Sequence, residues 1–267
     1  MRNKVIVITG GSSGIGLALA LQALEEGAFV AVCARNCSQL VQTYSHFIEK
    51  GSLLVMSVDV SNESACKQFI EAIQTKWGNI DVLINNAGIS MRSLLEDTEI
   101  KVIEELMNIN FWGMVYCTKY ALNSIIASKG VIVGISSIAG YRGLPGRTGY
   151  SASKFAMQGF LESLKTELLH SGVHVMWVSP GFTASNIRNV SRLGDGSVQG
   201  ETPLEESKLM SAATCAALIY KAIRKRKRVL IIGALGKLTV WLNKLLPSIA
   251  DKMVYNHFKN EPGSPLK

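Results

Sequence analysis

Short runs of aliphatic and β-branched residues alternate along this chain with longer segments of helical period. The runs are continuous in apolar residues, which is typical of strands buried on both faces of a parallel sheet. Strands joined by right-handed helical crossovers form a doubly wound sheet. The pattern therefore predicts one α/β domain with a mostly parallel seven-stranded sheet and helices on both faces. The predicted strands cover residues 5–8, 29–33, 53–58, 82–84, 131–135, 173–178 and 229–232.

The helical segments and two irregular stretches define the predicted organisation. Helices are expected to end near residues 26, 50 and 77, and two longer ones cover 98–127 and 150–170. We assign 1–233 to the main domain and 234–267 to a basic and apolar C-terminal tail that is not an independent domain. Residues 182–204 are polar and too long for an ordinary connection, which indicates either a substrate loop or surface disorder.

Charge is distributed unevenly along the 267 residues. Residues 1–220 hold 17 Lys and Arg against 18 Asp and Glu, whereas 221–267 hold 11 against 2. The net charge of +8 therefore belongs to the tail, and with no interleaved aromatic residues or known motif we expect no nucleic-acid partner. The five cysteines contain no CxxC pattern, so we expect reduced thiols in a cytoplasmic protein and no metal site.

A glycine-rich turn, Thr-Gly-Gly-Ser-Ser-Gly-Ile-Gly, lies directly between the first predicted strand and the first predicted helix. Small residues let the backbone approach a pyrophosphate, and the helix N-terminus offers N–H groups and a partial positive charge. The position after strand one of a parallel fold makes this a dinucleotide-binding pattern. The predicted contacts are Gly10, Ser12, Ser13, Gly14, Ile15 and Gly16.

Arg35 stands nineteen residues after Gly16, where dinucleotide-binding proteins that use NAD carry an acidic residue. A guanidinium there suits a 2′-phosphate. The sequence thus favours NADP(H) over NAD(H), and the alternative is a solvated surface arginine.

Tyr150 and Lys154 are spaced i and i+4, so they share one helix face. An ammonium group beside a phenol stabilises the phenolate and makes tyrosine a usable acid or base. A solvated helix face would be the default for this pair alone. However, Ser137 follows the fifth strand thirteen residues upstream, and Asn110 lies within the preceding helix.

Together these features resemble the short-chain dehydrogenase/reductase family over residues 4 to 190, which implies a Rossmann-type fold. The resemblance rests on the glycine-rich turn, Asp59-Val60, the Asn-Asn-Ala-Gly run at 85–88, the four residues just described and Pro180-Gly181. It implies that Tyr150 is the general acid in reduction, Lys154 lowers its pKa and holds the nicotinamide ribose, and Ser137 binds the carbonyl oxygen. Asn110 would kink its helix and hold a water in a proton relay.

The resemblance also implies further dinucleotide contacts. Asp59 and Val60 would meet the adenine, whereas Asn86, Ala87 and Gly88 would meet the adenosine ribose, and Pro180, Gly181 and Thr183 would meet the nicotinamide carboxamide. Members often have Thr where this chain has Ser185, so a hydroxyl is retained but that contact differs. The family also commonly pairs the helices at 98–127 and 150–170, which implies a homodimer or homotetramer.

The substrate wall is expected from loops at the strand ends, at 89–95, 138–146 and 182–204. Their large side chains are mostly apolar, with Arg92, Arg142, Arg147 and Arg188 as exceptions, so we expect a lipophilic ketone or alcohol with one polar end. Short segments near 9–14, 34–36 and 57–60 are similar to 3-ketosphinganine reductases.

The tail has a helical apolar stripe with lysines on the opposite side, and Pro247 is expected to end or kink the helix. The stripe consists of Leu238, Trp241, Leu242, Leu245 and Ile249. A basic helix with a tryptophan is typical of peripheral contact with an anionic, cytoplasmic membrane face. The same stripe also fits a cover on the substrate pocket or a subunit contact. No run is long and apolar enough to predict a spanning helix.

The sequence therefore predicts an NADPH-dependent oxidoreductase that reduces a lipophilic ketone, and a ketone like 3-ketosphinganine is one candidate. Two alternatives stay open. One is an NAD(P)-dependent, hydroxysteroid-type alcohol dehydrogenase that works oxidatively. The other is a dinucleotide-binding regulatory protein tethered by its tail, against which the intact catalytic set argues.

Overall fold

The seven predicted strands form one sheet in the computed structural model, which describes residues 1–200 and 209–266. Neighbouring strands are parallel throughout, in the order β3-β2-β1-β4-β5-β6-β7. The prediction of a doubly wound sheet is confirmed. The sheet was predicted to be mostly parallel, and all of its described strands are parallel. The strands are β1 Val5–Thr9, β2 Phe29–Ala34, β3 Leu53–Ser57, β4 Val82–Asn85, β5 Val131–Ile135, β6 His174–Ser179 and β7 Val229–Ile231.

Helices cover both faces of this sheet. They are α1 Gly14–Glu25, α2 Ser38–Thr43, α3 Ser45–Glu49, α4 Glu63–Trp77, α5 Ile100–Met107, α6 Gly113–Ala127, α7 Thr148–Glu167, α8 Ala212–Arg224, α9 Ala234–Leu245 and α10 Pro247–Lys259. A π-helical turn at Asn108–Trp112 joins α5 to α6, and short 3₁₀ turns lie at Leu95–Asp97 and Ile138–Gly140.

Two cores lie on opposite faces of the sheet because side chains alternate along each strand. Val5 and Val7 of β1 belong to the core beneath α4, α6 and α7, whereas Ile6 and Ile8 belong to the core beneath α1 and α8. Strands buried on both faces need apolar residues at every position, which explains the continuous apolar runs.

Two predicted helices are divided in the structure. The helix expected to end near residue 50 is wrong as a single element, since Tyr44 leaves the helical region at φ −117° and ψ 26° between α2 and α3. Thr43, Tyr44 and Ser45 have modest helix propensity, so little favours continuation there. The helix at 98–127 is interrupted by the π-helical turn that contains Asn110.

The tail forms two helices. Pro247 occupies the first turn of α10, where its missing N–H is harmless, and Leu246 before it is non-helical. The Arg142 side chain donates to Asn243 Oδ1 at 3.0 Å and pairs with Asp251, which attaches both helices to the loop after β5. The boundary between 233 and 234 stays a prediction. Among the described residues, every helix is too short or too polar to cross a membrane.

The polar stretch expected at 182–204 folds over the strand ends as far as it is described, and its residues 201–204 lie outside the described residues. Isolated bridges join Met91 to Arg192 and Thr183 to Met210. Arg192 also forms an ion pair of 2.6 Å with Glu105 of α5. These contacts fix the stretch to the loop after β4, to α5 and to the segment before α8.

Candidate active site

A cleft of about 900 Å³ opens at the carboxyl ends of the strands, where doubly wound sheets bind ligands. It runs from the glycine-rich turn, past Ser137 and Tyr150, to the C-terminal helices. Gly16 and Asn110 lie behind its wall, and the other predicted site residues line it. These are Gly10, Ser12, Ser13, Gly14, Ile15, Arg35, Asp59, Val60, Asn86, Ala87, Gly88, Ser137, Tyr150, Lys154, Pro180, Gly181 and Thr183.

The glycine-rich turn requires glycine for two different reasons. Gly10 and Gly14 have φ of +66° and +53°, a region that other residues enter only with strain. Gly16 has an ordinary conformation, but a Cβ there would lie 2.3 Å from the Gly10 carbonyl oxygen and 2.5 Å from Asn86 Nδ2. The backbone is therefore packed without room for side chains, which leaves the cleft side open for a ligand.

Asn86 and Thr9 hold this turn from the neighbouring strand. The Asn86 side-chain amide donates to the carbonyl oxygens of Thr9 at 3.0 Å and Gly10 at 2.9 Å. In return, Thr9 Oγ1 accepts from the backbone N–H groups of Asn86 and Ala87, both at 3.0 Å. The family resemblance implies only a contact with the ribose region for Asn86, and it implies no role for Thr9. The sequence signal for this holding role is that Thr9 and Asn86 are polar residues at the ends of β1 and β4, which lie side by side in the sheet.

The N-terminus of α1 faces the cleft with its N–H groups exposed to a ligand. The Ser13 side chain makes no capping hydrogen bond, and the first turn of the helix has no acidic residue. Uncapped N–H groups and the helix dipole favour a bound anion at this point. The turn is therefore suited to a pyrophosphate.

The end of β2 places Arg35 at the outer edge of the cleft with an exposed side chain. The Ser57 hydroxyl fixes its backbone by donating to the Arg35 carbonyl oxygen at 2.9 Å. Asp59 also lines the cleft, but Ser61 N–H and Oγ donate to its carboxylate at 2.9 and 2.7 Å. The Asp59 carboxylate thus shapes a turn, in addition to any contact it makes with an adenine.

Lys154 is almost completely buried, and its ammonium donates to the Ile135 carbonyl oxygen at 2.9 Å. Burial lowers the pKa of this amine to about 8, since a charged group is poorly solvated in the interior. A Cβ added to Gly88 would lie 3.5 Å from Lys154 Nζ and 3.0 Å from Asn110 Oδ1. The two polar groups therefore converge beside Gly88.

Asn110 is fully buried in the π-helical turn, and its side chain binds a strand end across the site. Its Oδ1 accepts from Ile89 N–H at 2.8 Å, and its Nδ2 donates to the Ile89 carbonyl oxygen and to Ser153 Oγ, both at 2.9 Å. The π turn adds one residue to the helix, which turns the amide inward. These bonds make Asn110 a brace for the loop after β4, and its part in a proton relay stays a prediction.

Tyr150 lies on the same face of α7 as Lys154, whose Nζ is 5.7 Å from the centre of the phenol ring. Burial raises the pKa of Tyr150, whereas a hydrogen bond with the Ser137 side chain and the charge of Arg147 lower it. The phenol therefore stays protonated at neutral pH. Lys154 is not among the groups that set this pKa, so the expected lowering by Lys154 and the general-acid role stay predictions. Ser137 and Tyr150 together present two hydroxyl groups to one point of the cleft, where a carbonyl oxygen fits.

The substrate end of the cleft is lined by the expected strand-end loops and, in addition, by the C-terminal helices. All three predicted loops contribute to it, and the large side chains from them or beside them that line the cleft are Met91, Arg92, Ile138, Leu144, Arg147, Phe182, Ile187, Arg188 and Val190. Tyr141 and Arg142 do not, because Tyr141 Oη accepts from Trp177 Nε1 at 2.7 Å and Arg142 binds the tail. The wall from α9, α10 and the segment after them includes Leu238, Leu242, Ala250, Met253, Val254, His257, Phe258 and Glu261.

The residues at the other end fit a nicotinamide dinucleotide. The close packing at Gly10 and Gly16, the uncapped α1 N-terminus and the buried Lys154 ammonium together match a pyrophosphate and a ribose. When bound, the dinucleotide supplies or accepts the hydride, and the protein orients it. That Ser137 holds a carbonyl oxygen and that Tyr150 Oη transfers a proton stay predictions of the family resemblance.

Comparison with known proteins gives matches over the whole cleft. The family described as short chain dehydrogenase matches residues 4–195. Dehydrogenase/reductase SDR family member 7B of Rattus norvegicus is 33% identical over 270 residues, covering 98% of this chain and 83% of that protein. 11-beta-hydroxysteroid dehydrogenase-like 4A of Arabidopsis thaliana is 34% identical over 252 residues, covering 93% of this chain and 83% of that protein.

A solved structure shows the same fold at lower identity. The short chain dehydrogenase/reductase from Burkholderia phymatum, solved in complex with NAD, is similar with a TM-score of 0.82 at 21% identity, covering 93% of this chain and 95% of that one. The family match spans the glycine-rich turn, the Ser137, Tyr150 and Lys154 group and the strand ends that carry them. This chain therefore belongs to the short-chain dehydrogenase/reductase family of oxidoreductases.

Proposed function

We propose that the protein reduces a ketone on a lipophilic substrate to an alcohol, with NADPH as the hydride donor and Tyr150 as the general acid. The observation that carries this proposal is the cleft itself, in which the Ser137 and Tyr150 hydroxyl groups face a wall of apolar side chains from α9 and α10. Hydroxyl donors at that point stabilise the negative charge that develops on a carbonyl oxygen. The apolar wall supports a lipophilic substrate over a sugar.

Arg35 supports NADPH over NADH. Its side chain is exposed at the cleft edge after β2, and no acidic residue occupies that position. A guanidinium attracts a 2′-phosphate through charge-assisted hydrogen bonds, whereas a ribose hydroxyl gains little from it.

The test follows oxidation of NADPH and NADH by the pure protein with a panel of ketones in detergent. The panel runs from small polar ketones through steroids to long-chain 3-keto lipids, including 3-ketosphinganine because of the sequence similarity of three segments. Faster turnover with NADPH and lipophilic ketones is expected. Turnover confined to small polar ketones would contradict the proposed substrate class.

A second candidate is the oxidative direction, an NAD(P)-dependent alcohol dehydrogenase of the hydroxysteroid type. The relative named 11-beta-hydroxysteroid dehydrogenase-like favours it. The same residues serve both directions, because Tyr150 then accepts the proton that it donates in reduction. Measuring hydroxysteroid oxidation with NADP⁺ and NAD⁺ distinguishes the two, and oxidation without detectable reduction of any ketone favours this candidate.

We also propose that the outer face of α9 and α10 contacts an anionic membrane surface. Trp241, Leu245 and Ile249 are 56%, 54% and 49% exposed and do not line the cleft. Lys237 and Lys244 stand four residues before and three residues after Trp241 in α9, which places them on its side of the helix. Exposed apolar groups flanked by lysines match the chemistry of an anionic lipid interface.

Vesicle flotation tests this contact. Binding is expected to vesicles containing phosphatidylglycerol, with less to neutral phosphatidylcholine, and Trp241→Ser combined with Leu245→Ser should remove it. In the control without vesicles, both proteins should be recovered equally. If vesicles bind neither protein and the unchanged protein is a dimer that the double variant disrupts, the face is assigned to a second copy of the chain.

Self-association through α6 and α7 is a further proposal. Trp112 at the start of this helix pair, Ile126 in α6 and Phe155 in α7 are large apolar side chains exposed by 42%, 36% and 47%. Light scattering after size exclusion should give a dimer or tetramer, and Phe155→Lys should lower the measured mass. A monomer at all concentrations would contradict this.

A further inference from the structure

The C-terminal helix α9 contacts the turn that carries Ser137, and the proposed reaction gives these contacts no role. Residues 137–142 are named the Ser137 turn. Near one end of it, a Cβ added to Gly236 would lie 2.8 Å from Ile138 Cδ1, so α9 packs directly on this side chain. At the other end, Asn243 of α9 forms two hydrogen bonds. Gly236 and Asn243 are seven residues apart, which places them two turns apart on one face of the helix.

The Asn243 side chain uses both of its polar atoms on the Ser137 turn. Its Nδ2 donates to the main-chain carbonyl oxygen of Tyr141 at 3.0 Å, and its Oδ1 accepts from Arg142 Nη1 at 3.0 Å. A guanidinium only donates and a carbonyl oxygen only accepts, so one orientation of the amide satisfies both partners. An asparagine can therefore form both bonds at once, whereas an aspartate, whose carboxylate only accepts, cannot.

The Ser137 hydroxyl is fixed within the same turn. Its Oγ accepts from the backbone N–H of Ala139 at 3.1 Å, which makes Ser137 the N-cap of the 3₁₀ turn. The backbone N–H groups of Tyr141 and Arg142 donate to the Ile138 carbonyl oxygen at 2.9 and 3.0 Å. These bonds connect the hydroxyl end of the turn to the end that α9 holds. A movement of the far end is therefore expected to move the hydroxyl.

The sheet holds the start of the Ser137 turn. The Ser179 hydroxyl of β6 donates to the Ser137 carbonyl oxygen at 3.1 Å, and Ser179 is fully buried. The turn thus lies between an interior strand of the sheet and α9. Residues of β6 belong to both cores, whereas α9 contributes none to either. A change in α9 can therefore alter the turn without disturbing the sheet.

A hydroxyl that stabilises a developing oxyanion acts only where its placement is correct. A displacement of about 1 Å in a reacting group can lower a rate by about 10²-fold. This loss falls on the transition state more than on the bound ground state. A residue that positions Ser137 should therefore affect kcat more than KM. In contrast, Leu238 and Leu242 of α9 line the cleft and should affect KM through contact with the substrate.

We propose that Asn243 is a positioning residue that holds the Ser137 turn, so that the Ser137 hydroxyl faces the substrate carbonyl. This role rests on the proposed ketone reduction. It gives the C-terminal tail a part in the chemical step in addition to its part in the substrate wall. Asn243 acts through the turn and not on the substrate, since its amide binds Tyr141 and Arg142 and does not line the cleft.

Asn243→Asp tests this role. The carboxylate keeps the size of the side chain and the acceptor for Arg142, but it repels the Tyr141 carbonyl oxygen instead of donating to it. We expect kcat for the best ketone of the panel to fall by about tenfold, with little change in KM. The kcat is expressed per NADPH-binding site, so that unfolded protein does not count. Asn256→Asp makes the same change at an exposed position of α10 outside the cleft, and it should leave kcat unchanged.

The Ser137→Ala protein separates positioning from a general loss of structure. If Asn243 acts through the Ser137 hydroxyl, Asn243→Asp should change kcat little once that hydroxyl is absent, because the two effects are coupled. A general loss of structure would instead lower kcat by the same factor whether or not the hydroxyl is present. An equal loss in both proteins, or an unchanged kcat in Asn243→Asp alone, would overturn the proposal.

Hydrogen exchange, which needs no turnover, separates this proposal from the proposed reaction. The backbone amides of Tyr141 and Arg142 should exchange faster in Asn243→Asp than in the unchanged protein or in Asn256→Asp, because the turn opens more often. Faster exchange in a protein that reduces no ketone would keep the hold on the turn and reject the reductase. Ketone reduction with unchanged kcat and unchanged exchange in Asn243→Asp would keep the reductase and reject the positioning role.

Discussion

At the dinucleotide end of the cleft the wall is backbone, held by hydrogen bonds from Asn86 to the carbonyl oxygens of Thr9 and Gly10. At the substrate end it consists of side chains, many of them from α9, α10 and the segment after them, which contact the body through ion pairs and a ring contact. The glycines of the dinucleotide end have no room for a side chain, whereas the substrate end is lined by side chains that substitution can change. This contrast indicates that cofactor binding depends on packing and that substrate choice depends on surface chemistry.

The largest expected effect on activity is at Tyr150, where the dinucleotide end of the cleft meets the substrate end. Tyr150→Phe removes the proton donor without disturbing the glycine-rich turn, so kcat/KM for ketone reduction should fall by about 10²- to 10⁴-fold. NADPH affinity, followed by cofactor fluorescence, should change little. Tyr141→Phe is the control, because that phenol accepts from Trp177 outside the cleft. Retained turnover in Tyr150→Phe would show that another group supplies the proton.

Packing at the dinucleotide end is tested by adding a single methyl group. Gly16→Ala should destabilise the protein by about 1–3 kcal/mol, since the new Cβ meets backbone at 2.3 Å. Gly159→Ala in α7 meets nothing within 4 Å and should stabilise by about 0.5–1 kcal/mol. Urea unfolding measures both. Equal stabilities would mean that the turn has room to relax and that the contrast between the two ends is overstated.

A smaller change is expected where the dinucleotide end meets solvent. Arg35→Asp should lower the preference for NADPH over NADH by about tenfold, because a charge-assisted contact is replaced by repulsion. Arg228→Asp makes the same change in net charge at an exposed position paired with Glu162. The ratio of kcat/KM for the two dinucleotides is the measurement. If both variants shift it equally, overall charge and not Arg35 sets the preference.

The smallest effect is a dependence on pH. Lys154 has a pKa of about 8 because it is buried, so kcat/KM for reduction should fall as pH rises through that value and the ammonium is lost. Lys154→Arg should move the fall to higher pH, since guanidinium stays charged. The unfolded chain keeps this proton up to about 10.5. The contribution of Lys154 to the free energy of unfolding should therefore increase with pH between about 8 and 10.5. A reduction profile that is flat from pH 7 to 9.5 would contradict the shifted pKa.

The sequence predicted most of what depends on local pattern. The strands, the glycine-rich turn and the Tyr150 and Lys154 spacing follow from residues within a few positions of each other. The bracing role of Asn86 could be predicted only from the pairing of β1 with β4, because Asn86 binds residues that lie 76 and 77 positions away in the sequence. Glu261 contacts Arg147 across 114 positions, and no periodicity indicates such a pair. The break at Tyr44 escaped prediction because weak propensities decide it.

The C-terminal wall has a consequence for how enzymes of this shape diversify. Ala250 and Phe258 are its buried residues, and neither belongs to the two cores beneath the sheet. Mutations in α9 and α10 therefore leave the two cores beneath the sheet unchanged. A lineage can acquire a new substrate by altering these helices alone, with little loss of stability to compensate.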